Sequence, residues 1–312
     1  MQVSDRIGRR MKLHDLHVLM AVVEAGSMNR AATLLNTGQS AISRSIADLE
    51  QTVGVRLVNR SPRGVEPTQY GRALLDGGAA VFDDLRRAVR TIEFLADPTA
   101  GEVRIGSSAL LAASFVAALV DRLSQRYPGI VFHLVTGHVE TLHRELSGRK
   151  VDLVIARRYG PLVDEQFDFE FLFDDSFVVA AGVQSPWARR RRIELADLID
   201  QSWVLPPPGS VIPSVIMEAF RAKGLNYPRT TVITESSEVR TSLLATGRYL
   251  TVFPASALRF SKSRSEIRIL PVKLPMARLP NGIVTLKNRA LGPVVQLFID
   301  SARDTAKSLA KR

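Results

Sequence analysis

Up to Thr68, apolar positions recur every three or four residues and then contract into short runs, which predicts packed short helices followed by a hairpin. Leu16, Leu19 and Val23 form one helical stripe, Ser27 is placed to cap a second helix through Leu35, and Ile42, Ile46, Leu49 and Val53 form the buried stripe of a third. Asn36-Thr37-Gly38 makes a tight turn before the third helix, which exposes Gln39, Ser40, Ser43 and Arg44 near its start. Val55 to Val58 and Val65 to Glu66 read as two strands, and the loop from Asn59 to Gly64 carries Arg60 and Arg63 as a basic wing.

Thr68 is a cap for a long helix reaching about Ala96. Along it Leu75, Phe82 and Val89 recur every seven residues, with Gly78, Leu85 and Ile92 as the offset set. This seam predicts dimerisation through Leu75, Phe82, Leu85, Val89 and Ile92; packing of the helix on its own domain is the alternative. Asp97-Pro98-Thr99-Ala100-Gly101 ends the helix in a hinge-like linker.

Beyond it the pattern becomes α/β. Strand-like runs at Val103–Gly106, Ile130–Thr136, Val151–Ala156, Phe177–Ala181, Trp203–Leu205, Thr231–Ile233 and Leu250–Phe253 alternate with helices starting near Ala109, Val139, Val211 and Glu238. Largely parallel sheets are expected, with a closing helix over Val294–Ala310. The division expected is 1–67 for the short-helix and hairpin unit, 68–96 for the linker helix, 97–101 for the hinge and 102–312 for an α/β domain.

Composition narrows the partner. The formal net charge of +11 favours an anion such as nucleic acid, although the segment through Leu95 holds 13 basic and 10 acidic residues, so most of the excess lies downstream. With no cysteine there is no disulfide framework, thiolate metal site or Cys nucleophile, which fits a reducing compartment; a cytoplasmic protein with no membrane span is expected. The histidines offer no metal-ligand spacing, and no nucleophile elbow, P-loop or dinucleotide fingerprint follows a strand, so an enzyme is not expected and no cofactor or metal is implied. Arg189-Arg190-Arg191-Arg192 reads as a solvated face, with nucleic acid or acidic lipid as the alternative partner.

From Lys12 to about Ile105 the chain resembles the LysR-type transcriptional regulators, through AVVEAGSMNRAATLLN, QSAISRSIADLE and VGVRLVNRSPRGVEPTQYGRALL in that order. EFLADPTAGEVRIG resembles the branch that includes regulators of sugar uptake and protocatechuate breakdown. Gly38 stands where the family often has Ser or Thr, and Ser40 where it often has Pro. The family usually begins near Met11, so Met1 to Arg10 reads either as a basic arm or as sequence ahead of the true start.

The resemblance implies a winged helix-turn-helix with a long linker helix, then a two-lobed α/β effector domain like that of periplasmic solute-binding proteins, with lobes at about 102–174 plus 274–312 and 175–273. It implies a regulator that binds double-stranded operator DNA through Gln39, Ser40, Ser43, Arg44, Arg60 and Arg63, and whose activity follows a small-molecule effector, a sugar or organic acid, held between the lobes. Effector contacts are expected at Ser107, Ser108, Thr136, Gly137, Arg157, Pro208, Ser236 and Ser237, the last two with helix capping and Arg157 with an ion pair to Asp164 as alternatives. A dimer, then a tetramer, and contact with RNA polymerase complete the implied partners.

Overall fold

The computed structural model describes residues 10–62, 64–158, 164–260, 265–274 and 278–310, and divides into two compact units, 1–89 and 90–312. The basic segment ahead of Arg10 lies outside the described residues.

In the first unit, α1 (Leu13–Ala25), α2 (Met28–Leu34) and α3 (Gln39–Val53) pack around Leu19, Val22, Ala31, Ile42, Ile46 and Leu49. The expected stripe of α3 is buried, with Val53 partly so. On α1 the buried set also includes Val18 and Val22, because that helix meets neighbours on more than one face. Ser27 occupies the cap position of α2 with extended backbone, yet its hydroxyl makes no capping bond.

The hairpin sits later than the sequence suggests, as β1 (Val58–Ser61) and β2 (Gly64–Pro67), with Arg60 opposite Val65. The cause is Glu50, whose carboxylate accepts the N–H groups of Leu57 (2.7 Å) and Val58 (3.3 Å) and so uses residues 55–57 to leave the helix. Arg60 therefore stands on a strand and not in a loop.

Thr68 does start the long helix α4 (Gln69–Ala96): its Oγ1 accepts from Gly71 N–H at 3.1 Å and donates to the Arg56 carbonyl at 2.8 Å. A Cβ on Gly71 would overlap the Leu57 carbonyl oxygen, so glycine there lets the helix approach the hairpin closely.

The second unit holds two five-stranded sheets. The first runs β4 (Gly129–Thr136), β3 (Ala100–Ser107), β5 (Leu153–Arg157), β12 (Leu279–Leu286), β6 (Phe167–Asp175); the second runs β11 (Ile267–Ile269), β7 (Phe177–Gly182), β10 (Tyr249–Pro254), β8 (Ser202–Leu205), β9 (Thr230–Ile233). Each is mixed, not largely parallel as the sequence suggests. β3 with β4 and β5, and β8 with β9 and β10, are parallel, whereas β12 lies antiparallel to β5 and β6, and β7 to β10 and β11. The antiparallel strands arise where the chain crosses between sheets, from β6 straight into β7 and from β11 back into β12.

Around the first sheet lie α5 (Ala109–Leu111), a π-helical turn (Ala112–Val116), α6 (Ala117–Arg126), α7 (Val139–Ser147) and α11 (Pro293–Ala310), enclosing a core with Phe115, Leu153 and Phe298. Around the second lie α8 (Val211–Arg221), α9 (Ser237–Ala245) and α10 (Ala255–Phe260), with Trp203 and Phe220 edge to face at 6.1 Å in its core. Among the described residues no helix is long and apolar enough to cross a membrane.

Candidate nucleic-acid interface and effector cleft

The polar edge of α3 begins at its first turn. Gly38 caps it with extended backbone and no side-chain bond, and Gln39, Ser40 and Arg44 are exposed while Ile42, one step round the helix, is buried. Ser43 is half-buried because Arg60 from β1 donates to its hydroxyl at 3.3 Å. That bond brings hairpin and helix into one polar surface, a link between positions seventeen residues apart that the sequence pattern does not reveal. Arg63 lies outside the described residues.

The heptad set of α4 divides. Leu75 packs against the first-unit core, Phe82 meets the His17 ring at 5.7 Å, and Gly78 lies against Leu16. Leu85, Val89 and Ile92 stay exposed, joined by Val81 and Leu95. Val81, Leu85, Ala88, Ile92 and Leu95 are spaced four, three, four and three residues apart, the spacing of heptad core positions. Packing of the helix on its own domain thus accounts for Leu75 and Phe82, two of the residues expected at a dimer seam, and leaves Leu85, Val89 and Ile92 exposed.

In the second unit, the expected effector positions gather at the carboxyl ends of strands. β3 is central between parallel neighbours β4 and β5, a switch point of the kind where open α/β sheets bind ligands. Ser107 pairs in register with Thr136, and Gly137 N–H donates to the Ser107 carbonyl at 3.2 Å. Ser108 precedes α5, Arg157 ends β5, exposed Pro208 follows β8, and Ser236 and Ser237 follow β9.

Several of these side chains already have partners inside the fold. Ser107 is buried and donates to the Ile155 carbonyl at 3.0 Å. Ser236 accepts from Val239 N–H at 3.1 Å, capping α9, and donates to Glu238 at 2.8 Å. Arg157 pairs with Asp175 at 2.8 Å and stacks over Phe177, whereas Asp164, the acid expected beside it, instead accepts from Gln166. Burial explains the choice: Asp175 is almost fully enclosed and also accepts from the backbone N–H (3.1 Å) and hydroxyl (2.5 Å) of Ser256. One carboxylate thus joins β5, the crossing from β6 to β7, and α10. At the surface His138 Nε2 and Glu235 Oε2 lie 3.3 Å apart, a second contact between elements of the two sheets.

Burial holds the His143 imidazole below its ordinary range, against Phe167 at 4.6 Å, with Asp164 and Glu140 opposing the shift. Glu238 lies below the usual carboxylate range because its own backbone N–H and the Ser236 and Ser237 hydroxyls donate to it. The run Arg189 to Arg192 is exposed, with Arg190 stacked on Trp187 at 4.6 Å.

Comparison with known proteins matches both regions. A family model described as bacterial regulatory helix-turn-helix protein, lysR family, covers residues 13–72, and one described as LysR substrate binding domain covers 96–307. The chain is 26% identical over 304 residues to the HTH-type transcriptional regulator GbpR of Azospirillum brasilense, covering 97% of this chain and 89% of that one. It is 25% identical over 305 residues to the HTH-type transcriptional regulator PcaQ of Agrobacterium fabrum, covering 97% of each. A full-length OxyR variant from Pseudomonas aeruginosa has the same fold, with TM-score 0.65 at 20% identity over 94% of this chain and 95% of that one.

Proposed function

The chain belongs to the LysR family of DNA-binding transcriptional regulators with an effector domain, and from that premise we propose how its own residues divide the work. Gln39, Ser40, Ser43 and Arg44 read base edges in the major groove, with Arg44 bonding guanine bidentately, while Arg60 and Arg63 bind phosphate or the adjacent minor groove. The observation that carries this reading is the Arg60–Ser43 bond, which supports a single continuous polar face made of recognition helix and hairpin. The exposed seam Val81, Leu85, Ala88, Ile92 and Leu95, with Val89 beside it, joins a second copy, so that two recognition helices meet two half-sites; pairs of such dimers form a tetramer.

The effector lies between the lobes and acts only through a difference in affinity for two lobe arrangements. Of the expected contacts, Ser108, Thr136, Gly137 and Pro208 keep the role of touching ligand. Ser107, Arg157 and Ser236 shape the site through the bonds they already make, and Ser237 serves as one of its walls. The family consists of transcriptional regulators, and we assign this chain no catalytic step. Regulation of transcription places it with the chromosome in the cytoplasm, with RNA polymerase as the partner through which output is delivered.

The test is selection of duplexes from a random pool by the full chain, followed by titration of the selected duplex with wild type and Arg44→Ala. A loss of about 1–3 kcal/mol at one base position is expected for a bidentate guanine contact. Unchanged affinity and unchanged base preference would sink the assignment of Arg44.

A further inference from the structure

The turn Ala112–Val116 is π-helical, a form that is rare and concentrates at functional sites. Ala113 and Ser114 from this turn, with Leu110 before it, wall one side of a cavity of about 290 Å³. The facing wall belongs to the other lobe: Ser237, Glu238, Thr241 and Ser242 form a polar stripe on one face of α9, with Phe253 and Leu258 as apolar surface beside it. The volume lies just below the usual range for ligand pockets, roughly 300–1,000 Å³, which suits a small ligand.

Among the described lining residues the charge has one sign. Among the described residues Glu238 is the sole ionisable one lining the cavity. Arg240, one residue round from this face, is buried with its Nη1 donating to the Val252 carbonyl at 3.2 Å and its guanidinium 4.8 Å over the Phe253 ring. The Ser236 and Ser237 hydroxyls both donate to Glu238, so its carboxylate is held in the ionised, accepting form. A carboxylate or phosphate ligand here would meet like charge at Glu238, whereas an ammonium or hydroxyl group would meet an acceptor.

We infer that this cavity binds a small molecule that presents a hydrogen-bond donor head, ammonium or hydroxyl, to Glu238 and an apolar body to Phe253 and Leu258, and that it rejects anions. The inference rests on the reading of residues 90–312 as the sensing half and gives that half a ligand class opposite in charge to the one a strand-end helix start would favour. Because the walls come from both lobes, occupancy responds to their disposition, which is the requirement for a switch.

Isothermal titration of the full chain with 2-phenylethylamine, 2-phenylethanol and phenylacetate compares three heads on one skeleton. The amine should bind at least about ten-fold more tightly than phenylacetate, the ~1.4 kcal/mol of one decade, with the alcohol between them. Glu238→Gln should erase the advantage of amine over alcohol, and Ala113→Leu, which adds bulk to the wall without touching charge, should weaken both about ten-fold. Phenylacetate binding as tightly as the amine, no binding of amine or alcohol at millimolar concentration, or binding indifferent to both variants would overturn the inference. Duplex selection run on the same preparation separates the two levels: a chain that selects DNA normally while preferring the anion refutes only this inference, and one that selects no DNA refutes the regulator reading beneath it.

Discussion

In the first unit the polar residues at the start of α3 face outward, and among the described residues only Ser43 is engaged, by Arg60. In the second unit the polar residues at equivalent places, the ends of strands and the starts of helices, are largely taken: Ser107 by Ile155, Arg157 by Asp175, Ser236 by its own helix. A surface that meets a partner as stiff as duplex DNA leaves its donors and acceptors exposed to water, where they cost little until used. A cleft inside an α/β fold has to satisfy buried polar groups before any ligand arrives, so residue type alone does not tell a ligand contact from an internal bond.

The contrast can be broken most forcefully at Asp175. Asp175→Ala removes an almost fully buried carboxylate that holds Arg157 and two groups of Ser256, and a stability loss of about 3–5 kcal/mol is expected in urea unfolding of the full chain. A loss no larger than that of a surface substitution would mean the carboxylate is not what joins the two sheets. Next comes the exposed seam of α4: Leu85→Lys with Ile92→Lys should weaken self-association by about 3 kcal/mol or more, since each buried aliphatic side chain is worth about 1.5–3 kcal/mol. Sedimentation at several concentrations reads this, and an unchanged association constant would move the interface elsewhere. Ser236→Ala should cost about 1 kcal/mol through loss of the cap on α9, a midpoint shift in chemical denaturation.

The smallest effect is a pH dependence. Burial lowers the folded-state pKa of His143 relative to the unfolded chain, so the folded state resists taking up its proton. Stability is unaffected by this group well above its ordinary pKa of about 6.5 and declines as pH falls through that value toward the lower folded pKa. His143→Phe should flatten this limb of the stability–pH profile; a profile superimposable on wild type would show that His143 titrates alike in both states.

The legible parts of the sequence were those in which one local rule acts alone. Ile42, Ile46 and Leu49 declare the inner face of α3 by spacing, and Thr68 declares the start of α4 by its hydroxyl. β6 carries a strand signal that the strand-like runs above leave out: Phe167, Phe169, Phe171 and Phe173 recur at every second position, with Leu172 interrupting the alternation. β12 is harder, because Pro280 and the Asn281-Gly282 pair look like a turn until its place between β5 and β6 is known. What stayed hidden depends on contacts between distant residues. Nothing local joins Glu50 to the amides of the hairpin or Asp175 to Ser256, eighty-one residues on. The candidate site shares that limit: strand-end positions follow from element order, but the wall formed by Ala113 and Glu238 exists only once both sheets are folded.

The far end of α4 is splinted to the sheet that follows it. Phe94 packs against the sheet core, Arg90 reaches Glu102 at 3.2 Å and Asp152 at 4.0 Å, and Asp152 is itself gripped by buried Arg289 at 3.0 Å. The short turn after the helix is stitched as well, with Asp97 accepting from both the N–H and the hydroxyl of Thr99. A splint of this kind keys the last turns of the helix, from Arg90 onward, to the β3 strand, so that within the second unit they are fastened by charge and by packing at once.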